Sequence, residues 1–166
     1  MALHIVLFEP EIPQNTGNIA RTCAAVGATL HLVHPLGFSL EEKYLKRAGL
    51  DYWPLLTMVE HPSIEDFLAA HQEKPLYYFT TKAPRTYCEV TYPEETYLVF
   101  GKESAGISES LLVKNKQRCV RIPMREEARS LNLSNSVAIA TYEYLRQQSF
   151  PFLQGTGTLH RLTWEA

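Results

Sequence analysis

The sequence lacks the features that define several broad classes of protein. Its 166 residues contain only three cysteines, an odd number with no CxxC pair, at positions 23, 88 and 119. This count disfavours a disulfide framework or a zinc site and indicates a reducing compartment, which predicts a cytoplasmic protein. No apolar run approaches the roughly 20 residues that a membrane-spanning helix requires. The first residues, MALHIVLFEPEIP, include no basic segment of the kind that begins a signal peptide.

Several catalytic and nucleotide-binding motifs are also absent. The chain contains no HExxH, GxGxxG or GxSxG pattern, so we expect no zinc-protease helix, ordinary dinucleotide site or nucleophile elbow. The segment ValPheGlyLysGluSer resembles the end of a phosphate-binding loop. However, Glu103 stands where that loop has Ser or Thr, and Thr96 stands where its first glycine should be. We therefore expect neither a P-loop nor a metal site.

The net charge of −2 does not by itself indicate a nucleic-acid-binding protein. The basic residues are unevenly distributed, however. One sixteen-residue window holds Lys114, Lys116, Arg118, Arg121, Arg125 and Arg129. Two smaller groups are Lys43, Lys46 and Arg47, and Lys82 and Arg85. Local basic patches on a nearly neutral protein can bind phosphates, and the alternative is a solvated charged surface.

Apolar runs and helical segments alternate along the chain. Short apolar runs predict strands at residues 3–8, 29–33, 55–59, 76–81, 97–101 and 119–123. Capped or amphipathic segments predict helices at residues 15–26, 41–48, 63–70, 108–114 and 133–148. This order predicts an α/β fold, with an open, mostly parallel sheet that carries helices on both faces. We expect a single domain over residues 1–149 and a C-terminal tail, 150–166, that is docked or partly disordered.

Polar loops follow three of the predicted strands, at residues 80–82, 101–106 and 125–135. Ligands of open α/β sheets bind beyond the carboxyl ends of the strands, so these loops predict a ligand site in the second half of the chain. The third loop holds five small hydroxyl or amide side chains, Ser130, Asn132, Ser134, Asn135 and Ser136. Capping a helix requires only one such residue. The surplus leaves two interpretations open: a polar ligand site beside the free N–H groups of the helix that follows, or helix capping alone.

Three segments together resemble a known family. They are ProGlnAsnThrGlyAsnIleAlaArgThrCys (13–23), PheGlyLysGluSerAlaGlyIle (100–107), and the segment 122–138, which begins IleProMetArg and ends SerLeuAsnLeuSerAsnSerValAla. In order and spacing they resemble the three motifs of the SPOUT superfamily of RNA methyltransferases, in the branch that methylates ribose 2′-hydroxyls. The closest resemblance is to the small tRNA (cytidine(34)-2′-O)-methyltransferases, and it spans about residues 3–148.

The resemblance implies a fold and an activity. It implies a deep C-terminal trefoil knot that binds S-adenosylmethionine, and a homodimer. It implies methylation of the ribose 2′-hydroxyl of the wobble nucleotide, cytidine or modified uridine 34, in leucine tRNAs. The anticodon stem-loop would be the bound part of the tRNA, because single-stranded loops are the usual targets of specific RNA recognition. No membrane or metal partner is expected.

The resemblance also implies the residues of the site. The cofactor would contact Phe79, Gly101, Ile122, Ser130 and Leu131. The catalytic group would comprise Arg21, Asn15, Glu103, Ser130 and Asn132. The RNA would contact Arg21, Lys82, Arg125, Arg129 and Tyr142.

Arg21 is the residue expected to act on the reacting hydroxyl. A guanidinium is essentially always protonated, so we expect Arg21 to polarise the hydroxyl and to hold the neighbouring phosphate, which helps take the proton. Glu103 is expected to orient Arg21 or Asn15 through a charge-assisted hydrogen bond. Asn15 could also cap a helix, and Tyr142 could equally be a packing residue.

Two other functions remain open at this point. One is an enzyme of the same fold that acts on another tRNA position or on rRNA. The other is a non-catalytic RNA-binding or cofactor-binding module, which the combination of catalytic candidates disfavours. The aromatic residues of the tail, Phe150, Phe152 and Trp164, either pack on the protein or stack on RNA bases. The last helix is apolar on more than one face, which predicts contact with its own sheet and with a partner.

Overall fold

A computed structural model describes residues 2–41 and 50–165. Apart from Glu41, the basic helix predicted at residues 41–48 lies outside the described residues, as does the basic group Lys43, Lys46 and Arg47. Within the described ranges, no helix is long and apolar enough to cross a membrane.

Six parallel strands form one sheet in the order β3-β2-β1-β5-β4-β6. The strands are β1 (Ala2–Phe8), β2 (Thr29–Val33), β3 (Thr57–His61), β4 (Leu76–Phe79), β5 (Glu95–Phe100) and β6 (Cys119–Val120). The chain builds outwards from β1 to β3, then crosses to the other side of the sheet, where β5 inserts between β1 and β4. This connectivity gives the open α/β sheet that the sequence predicts, and every strand pair is parallel.

Within residues 2–41 and 50–165, four α-helices connect or follow these strands. They are α1 (Pro13–Val26), α2 (Ile64–Ala70), α3 (Glu109–Lys114) and α4 (Leu133–Gln147), and short 3-10 helices cover Leu50–Leu55 and Lys116–Arg118. Gly27 ends α1 in the left-handed conformation, with φ 76°, as its place after the last apolar residue predicts. Ser63 caps α2, because its side chain accepts a hydrogen bond from the N–H of Asp66.

Several predicted boundaries are wrong by a few residues. Helix α1 begins at Pro13, two residues early, because proline is well tolerated in the first turn of a helix. Strand β3 is shifted to Thr57–His61, since the 3-10 helix takes Leu55. Strands β4 and β6 stop at Phe79 and Val120, so the polar residues that follow belong to loops.

Helices cover both faces of the sheet, each over its own apolar core. Helices α1 and α4 pack on one face, where Ile19, Cys23, Val137, Ala140 and Tyr144 meet strand residues such as Ile5, Leu30 and Leu98. Helices α2 and α3 cover the other face through Phe67 and Leu112. Alternate strand residues supply the two cores, because successive side chains of a strand point to opposite faces. The sheet is thereby buried on both sides and its polar loops project from its ends.

The tail after α4 contains no helix or strand in its described part, residues 150–165. Leu153 packs against the core under α1 and α4. In contrast, Phe152 is 94% exposed, and Leu162 and Trp164 are also exposed. The first residues of the tail therefore dock on the domain, while most of its large apolar side chains face solvent.

Candidate active site

A cavity of about 490 Å³ opens beyond the carboxyl ends of β4, β5 and β6. The three polar loops that follow these strands form its walls. Its lining comprises Ile12, Asn15, Phe79–Lys82, Phe100–Ile107, Ile122, Met124, Ser130–Leu133 and Ser136. Parallel strands end at the same edge of a sheet, so residues far apart in the sequence meet there. The volume lies within the range of small-molecule and cofactor sites.

A side-chain network joins the three motif segments at one end of this cavity. The Asn15 side-chain amide donates to Glu103 Oε1 at 3.4 Å. The Asn132 amide in turn donates to Asn15 Oδ1 at 3.0 Å. Asn15 is only 5% exposed, and a buried amide is costly unless its polar atoms are paired. The network therefore fixes the relative position of α1, the loop after β5 and the start of α4.

Glu103 also caps the N-terminal end of α1 from a distant part of the chain. Its carboxylate accepts hydrogen bonds from the N–H groups of Glu11 at 2.8 Å and Ile12 at 3.1 Å. The N-cap position of α1 is Ile12, which has no side-chain acceptor of its own. A carboxylate at a helix N-terminus satisfies free donors and interacts favourably with the helix dipole. Asn15, considered a possible cap, instead lies inside the helix.

A second carboxylate makes the reciprocal contact. Glu11 accepts hydrogen bonds from the Ser104 hydroxyl at 2.7 Å and the Ser104 N–H at 2.9 Å. These bonds lower the pKa of the Glu11 carboxyl group, with a smaller contribution from the charge of Lys102. The loop after β5 and the segment before α1 are thus joined by charge-assisted bonds in both directions.

Gly101 allows the loop after β5 to fold tightly back on itself. A Cβ atom at this position would lie 2.2 Å from the carbonyl carbon of Gly106 and 2.5 Å from the N atom of Ile107. The N–H of Gly106 donates to the carbonyl of Lys102 at 2.8 Å, which closes the turn. Because the obstructing atoms are backbone, any larger residue at 101 would force this cavity wall to move.

Asn132 has two roles, since it belongs to the network and caps α4. Its side-chain oxygen accepts from the N–H of Ser134 at 2.9 Å and of Asn135 at 3.3 Å. The polar run that the sequence shows thus does contain a helix cap. Ser130 and Ser136 do not serve this cap, and both line the cavity.

All five residues predicted to contact the cofactor line the cavity: Phe79, Gly101, Ile122, Ser130 and Leu131. The predicted catalytic residues Asn15, Glu103 and Asn132 line it too, and so does Lys82, predicted to contact RNA. The remaining predicted residues, Arg21, Arg125, Arg129 and Tyr142, are exposed and lie outside its lining. Arg125 Nε lies 3.9 Å from Glu127 Oε2, so part of its charge is balanced locally.

Arg21 projects from the exposed face of α1 and contacts an aromatic ring. Its guanidinium carbon lies 4.8 Å from the ring centroid of Tyr52, a cation–π geometry. Arg21 makes no hydrogen bond to Glu103. Glu103 is expected to orient Arg21 or Asn15, and the structure shows the bond to Asn15. The guanidinium of Arg21 instead lies over the ring of Tyr52.

Several cavity residues are not among those that the sequence predicts. Lys102, Ser104 and Met124 line the cavity, and Glu11 holds the loop that carries Ser104. The only available signal was their position beside motif residues. The contacts of Glu11 and Glu103 join segments about ninety residues apart, so no local pattern could reveal them.

The residues present suit a cofactor with one apolar and one charged end. Phe79, Phe100 and Ile122 supply apolar wall for a flat ring. Hydroxyl groups of Thr80, Thr81 and Ser130 supply hydrogen-bonding capacity, while Lys82 and Lys102 supply positive charge for a carboxylate. Among residues 2–41 and 50–165, no group of three or more His, Cys, Asp or Glu side chains is arranged to hold a metal ion.

Comparisons with known proteins agree with this arrangement. The profile of the SpoU rRNA Methylase family matches residues 2–142. A tRNA (cytidine(34)-2′-O)-methyltransferase of Escherichia coli K12 is 43% identical over 150 residues, which cover 90% of this chain and 96% of that protein. A protein of Geobacillus stearothermophilus that carries the same name provisionally is 51% identical over 153 residues, covering 90% of this chain and 98% of that protein.

Solved structures give the same result. A structure described as giving insight into 2′-OH methylation of C/U34 on tRNA has a TM-score of 0.84 and 45% identity, covering 89% of this chain and 97% of that one. The SpoU methyltransferase AviRb of Streptomyces viridochromogenes, in complex with AdoMet, has a TM-score of 0.73 and 25% identity, covering 89% of this chain and 58% of that one.

These matches confirm the resemblance carried by the three motif segments. They also set aside the non-catalytic module, because the family is one of methyltransferases. The chain is an enzyme and belongs to the SpoU rRNA Methylase family.

Proposed function

We propose that this protein methylates the ribose 2′-hydroxyl of the wobble nucleotide, cytidine or modified uridine 34, in leucine tRNAs, with S-adenosylmethionine as methyl donor. The observation that carries the proposal is the cavity at the ends of β4, β5 and β6, in which the three motif segments meet through Asn15, Glu103 and Asn132. The names of the relatives from Escherichia coli and Geobacillus stearothermophilus support the nucleotide position. The restriction to leucine tRNAs goes beyond these names and is part of the proposal.

The cofactor would be held by Phe79, Gly101, Ile122, Ser130 and Leu131. When bound, it supplies an electrophilic methyl group for in-line displacement by the ribose oxygen. The protein would contribute position, because the network of Asn15, Glu103 and Asn132 holds the loops of the cavity together. Lys82 and Lys102 would hold the carboxylate of the cofactor's amino-acid end or a nearby phosphate.

Arg21 would polarise the ribose hydroxyl and hold the adjacent phosphate, which helps take the proton. Its guanidinium group stays protonated, so it has no free site to accept the proton itself. Because Arg21 lies outside the cavity lining, the substrate must bridge the cavity and the exposed face of α1. The RNA would further contact Arg125, Arg129 and Tyr142, which are exposed around the same end of the molecule or on α4.

We also propose the fold and assembly that accompany this activity. The chain after β6 returns from the edge of the sheet so that α4 packs beside α1, a path compatible with a C-terminal trefoil knot. Helix α4 leaves Ile139 37% and Tyr142 51% exposed on one face, which favours a homodimer. We place the protein in the cytoplasm, where tRNA is processed. Residues 1–149 would act as one domain and the tail as an appendage.

The test is a methyl-transfer assay with purified protein, S-adenosylmethionine and unmodified leucine tRNA, followed by mass spectrometry of nuclease fragments. We expect one methyl group on the ribose of nucleotide 34. An Arg21→Ala variant should bind the cofactor with unchanged affinity in calorimetry, because Arg21 does not line the cavity, and should lose at least a hundredfold in transfer rate.

Two results would contradict the proposal. Absence of cofactor binding by the wild type would remove S-adenosylmethionine from its role. A methyl group found at another tRNA position, or only on rRNA, would support the alternative enzyme of the same fold. Comparing leucine tRNAs with other tRNAs in parallel reactions tests the specificity separately from the position.

A further inference from the structure

The edge of the sheet at β6 carries a group of basic residues that the site does not use. We call it the basic edge, and it consists of Arg85, Lys114, Lys116, Arg118 and Arg121. The sequence separates Arg85 from the rest, but the fold brings them together. The N–H of Arg121 donates to the carbonyl of Arg85 at 3.0 Å, and the guanidinium of Arg85 donates to the carbonyl of Gln117.

Few negative charges oppose the basic edge. The chain has no acidic residue between Glu109 and Glu126. Glu109 pairs with Lys82, its carboxylate lying 3.2 Å from the ammonium group. Glu89 accepts hydrogen bonds from the N–H and hydroxyl groups of Thr86, which lower the pKa of its carboxyl group. Glu109 is thus paired with Lys82, while the charge of Glu89 partly offsets that of Arg85. The positive potential of the edge therefore rests mainly on its other basic residues.

The basic side chains are held in place while keeping donors free. Arg118 donates one N–H to the carbonyl of Lys74 at 2.8 Å, and Arg85 is anchored in the same way on Gln117. A guanidinium has five N–H donors, so each anchored arginine retains several for a ligand. Lys114 and Lys116 are exposed and make no ion pair or hydrogen bond through their side chains within the described parts of the chain. Anchored arginines beside free lysines suit a ligand with repeated anionic groups.

The basic edge is continuous with the cavity. Arg121 directly precedes Ile122, which lines the cavity, and Lys82 lines the cavity while pairing with the first residue of α3. Lys114 ends that helix. A polyanion whose reacting part enters the cavity could therefore continue from Ile122 past Arg121 and along the edge.

We propose that the basic edge binds the phosphate backbone of the RNA substrate, next to the nucleotide that enters the cavity. The inference rests on the proposed function, because it takes an RNA as the substrate and adds the surface that carries its backbone. Contacts with phosphates position RNA and contribute affinity without reading its sequence. The edge thereby supplies binding strength, while the cavity and its loops select the nucleotide.

The test compares Lys114→Ala/Lys116→Ala with Lys114→Arg/Lys116→Arg. Binding of a leucine tRNA is measured by fluorescence anisotropy at several salt concentrations. We expect the alanine variant to bind on the order of tenfold more weakly at 0.1 M salt, with a salt-dependence slope smaller by about 1.4, since each phosphate contact contributes about 0.7 for single strands. The arginine variant, which keeps both charges, should bind as the wild type does. The KM for tRNA should rise in the alanine variant more than kcat falls.

Arg161→Ala serves as a control, because it removes an exposed charge in the tail that is not among the residues of the basic edge. It should leave affinity and slope unchanged. Thermal unfolding and cofactor calorimetry verify that the lysine variants fold. If the wild type binds and methylates tRNA but the alanine variant shows the same affinity and slope, the basic edge does not bind RNA, and an acidic protein becomes the better partner. If the wild type methylates no RNA, the proposed function fails instead.

Discussion

At the scale of single residues, Gly101 is a position where the surrounding backbone leaves no room for a side chain. A Gly101→Ala substitution would push the loop that contains Gly106 and Ile107, because its Cβ would meet their backbone atoms. Since this loop forms a cavity wall, we expect S-adenosylmethionine affinity to fall at least tenfold in isothermal titration calorimetry. The enzyme should still fold, because the obstruction lies at the surface end of the sheet.

Gly27→Ala is the matched control for this prediction. Gly27 has φ 76° and open space around its Cβ position, and it ends α1 away from the cavity. Its substitution should cost about 1 kcal/mol through backbone strain and lower Tm by roughly 2–4 °C. Cofactor affinity should not change. Equal losses of affinity in both variants would show that general instability, not the cavity wall, causes the effect.

Asn132 allows its two roles to be separated. Asn132→Asp keeps the oxygen that caps α4 but loses the amide that donates to Asn15. Asn132→Ala loses both. We expect the alanine variant to lose about 1 kcal/mol of stability and the aspartate variant to lose little, because aspartate is an equally good cap. Both should lose methyl transfer, which a radiolabelled-methyl assay measures. An aspartate variant with full activity would show that the bond to Asn15 does not contribute to the site.

At the scale of secondary-structure elements, three strands carry a row of histidines on one face of the sheet. His4 Nδ1 lies 2.8 Å from His31 Nε2, and His31 Nδ1 lies 2.9 Å from His61 Nε2. The ring of His71 on the α2 side contacts both His31 and His61. Tyr97 stacks on His4. Burial, with smaller contributions from His4, His61 and His71, lowers the pKa of His31 to about 3.

This row predicts acid sensitivity of the fold. The folded-state pKa of His31 lies below the ordinary value of 6.5, so its stabilising contribution is complete above that pH and is lost as pH falls towards 3. Between pH 6.5 and pH 5 the loss should be about 2 kcal/mol for this residue. The pKa values of His4 and His61 are also lowered, mainly by burial, and add to the loss. Urea unfolding at pH 7.5 and pH 5 measures it.

The variant His31→Gln identifies the source of this pH dependence. It removes the titrating group and should at least halve the difference in unfolding free energy between the two pH values. His160→Gln, in the exposed tail, should retain the full difference. If His31→Gln shows the same pH dependence as the wild type, the carboxylates rather than the histidine row control acid stability.

The elements themselves were largely predictable, because their signals are local. Gly27 and Ser63 sit where helix ends require them, and six apolar runs correspond to six strands. The start of α1 was not predictable in the same way. Its cap is Glu103, about ninety residues away, so the local sequence offers only Ile12 at the N-cap position. The hydrogen-bonded row of histidines was likewise invisible, since it depends on strand order and register.

At the scale of the whole molecule, the sequence located the cavity better than the surfaces around it. Residues in loops after strands converge because parallel strands share an edge, so Phe79, Gly101 and Ile122 were found by position and motif. Arg21 and Tyr142 lie on exposed helix faces, where a motif cannot show what they contact. Under the proposed function their environment would include the RNA and a second subunit, which a single chain does not contain.

A homodimer would explain why α4 leaves apolar side chains in solvent. Ile139 and Tyr142 are exposed on this helix, while Val137, Ala140 and Tyr144 are buried against the sheet. A helix with apolar residues on two faces buries the second face in a partner. Sedimentation should therefore give twice the chain mass of 18.9 kDa. Ile139→Glu should give a monomer, because an isologous interface repeats the buried charge in both subunits.

Leu162→Glu is the matched control, since Leu162 is also exposed but lies in the tail. This variant should remain dimeric. The monomeric Ile139→Glu variant should keep its fold, measured by circular dichroism, because Ile139 contributes little to the core of its own subunit. It should bind tRNA more weakly, because one subunit presents only half of the basic surface that two would offer. If the wild-type protein sediments as a monomer at micromolar concentration, the homodimer prediction is wrong. RNA then becomes the better candidate for covering the exposed face of α4.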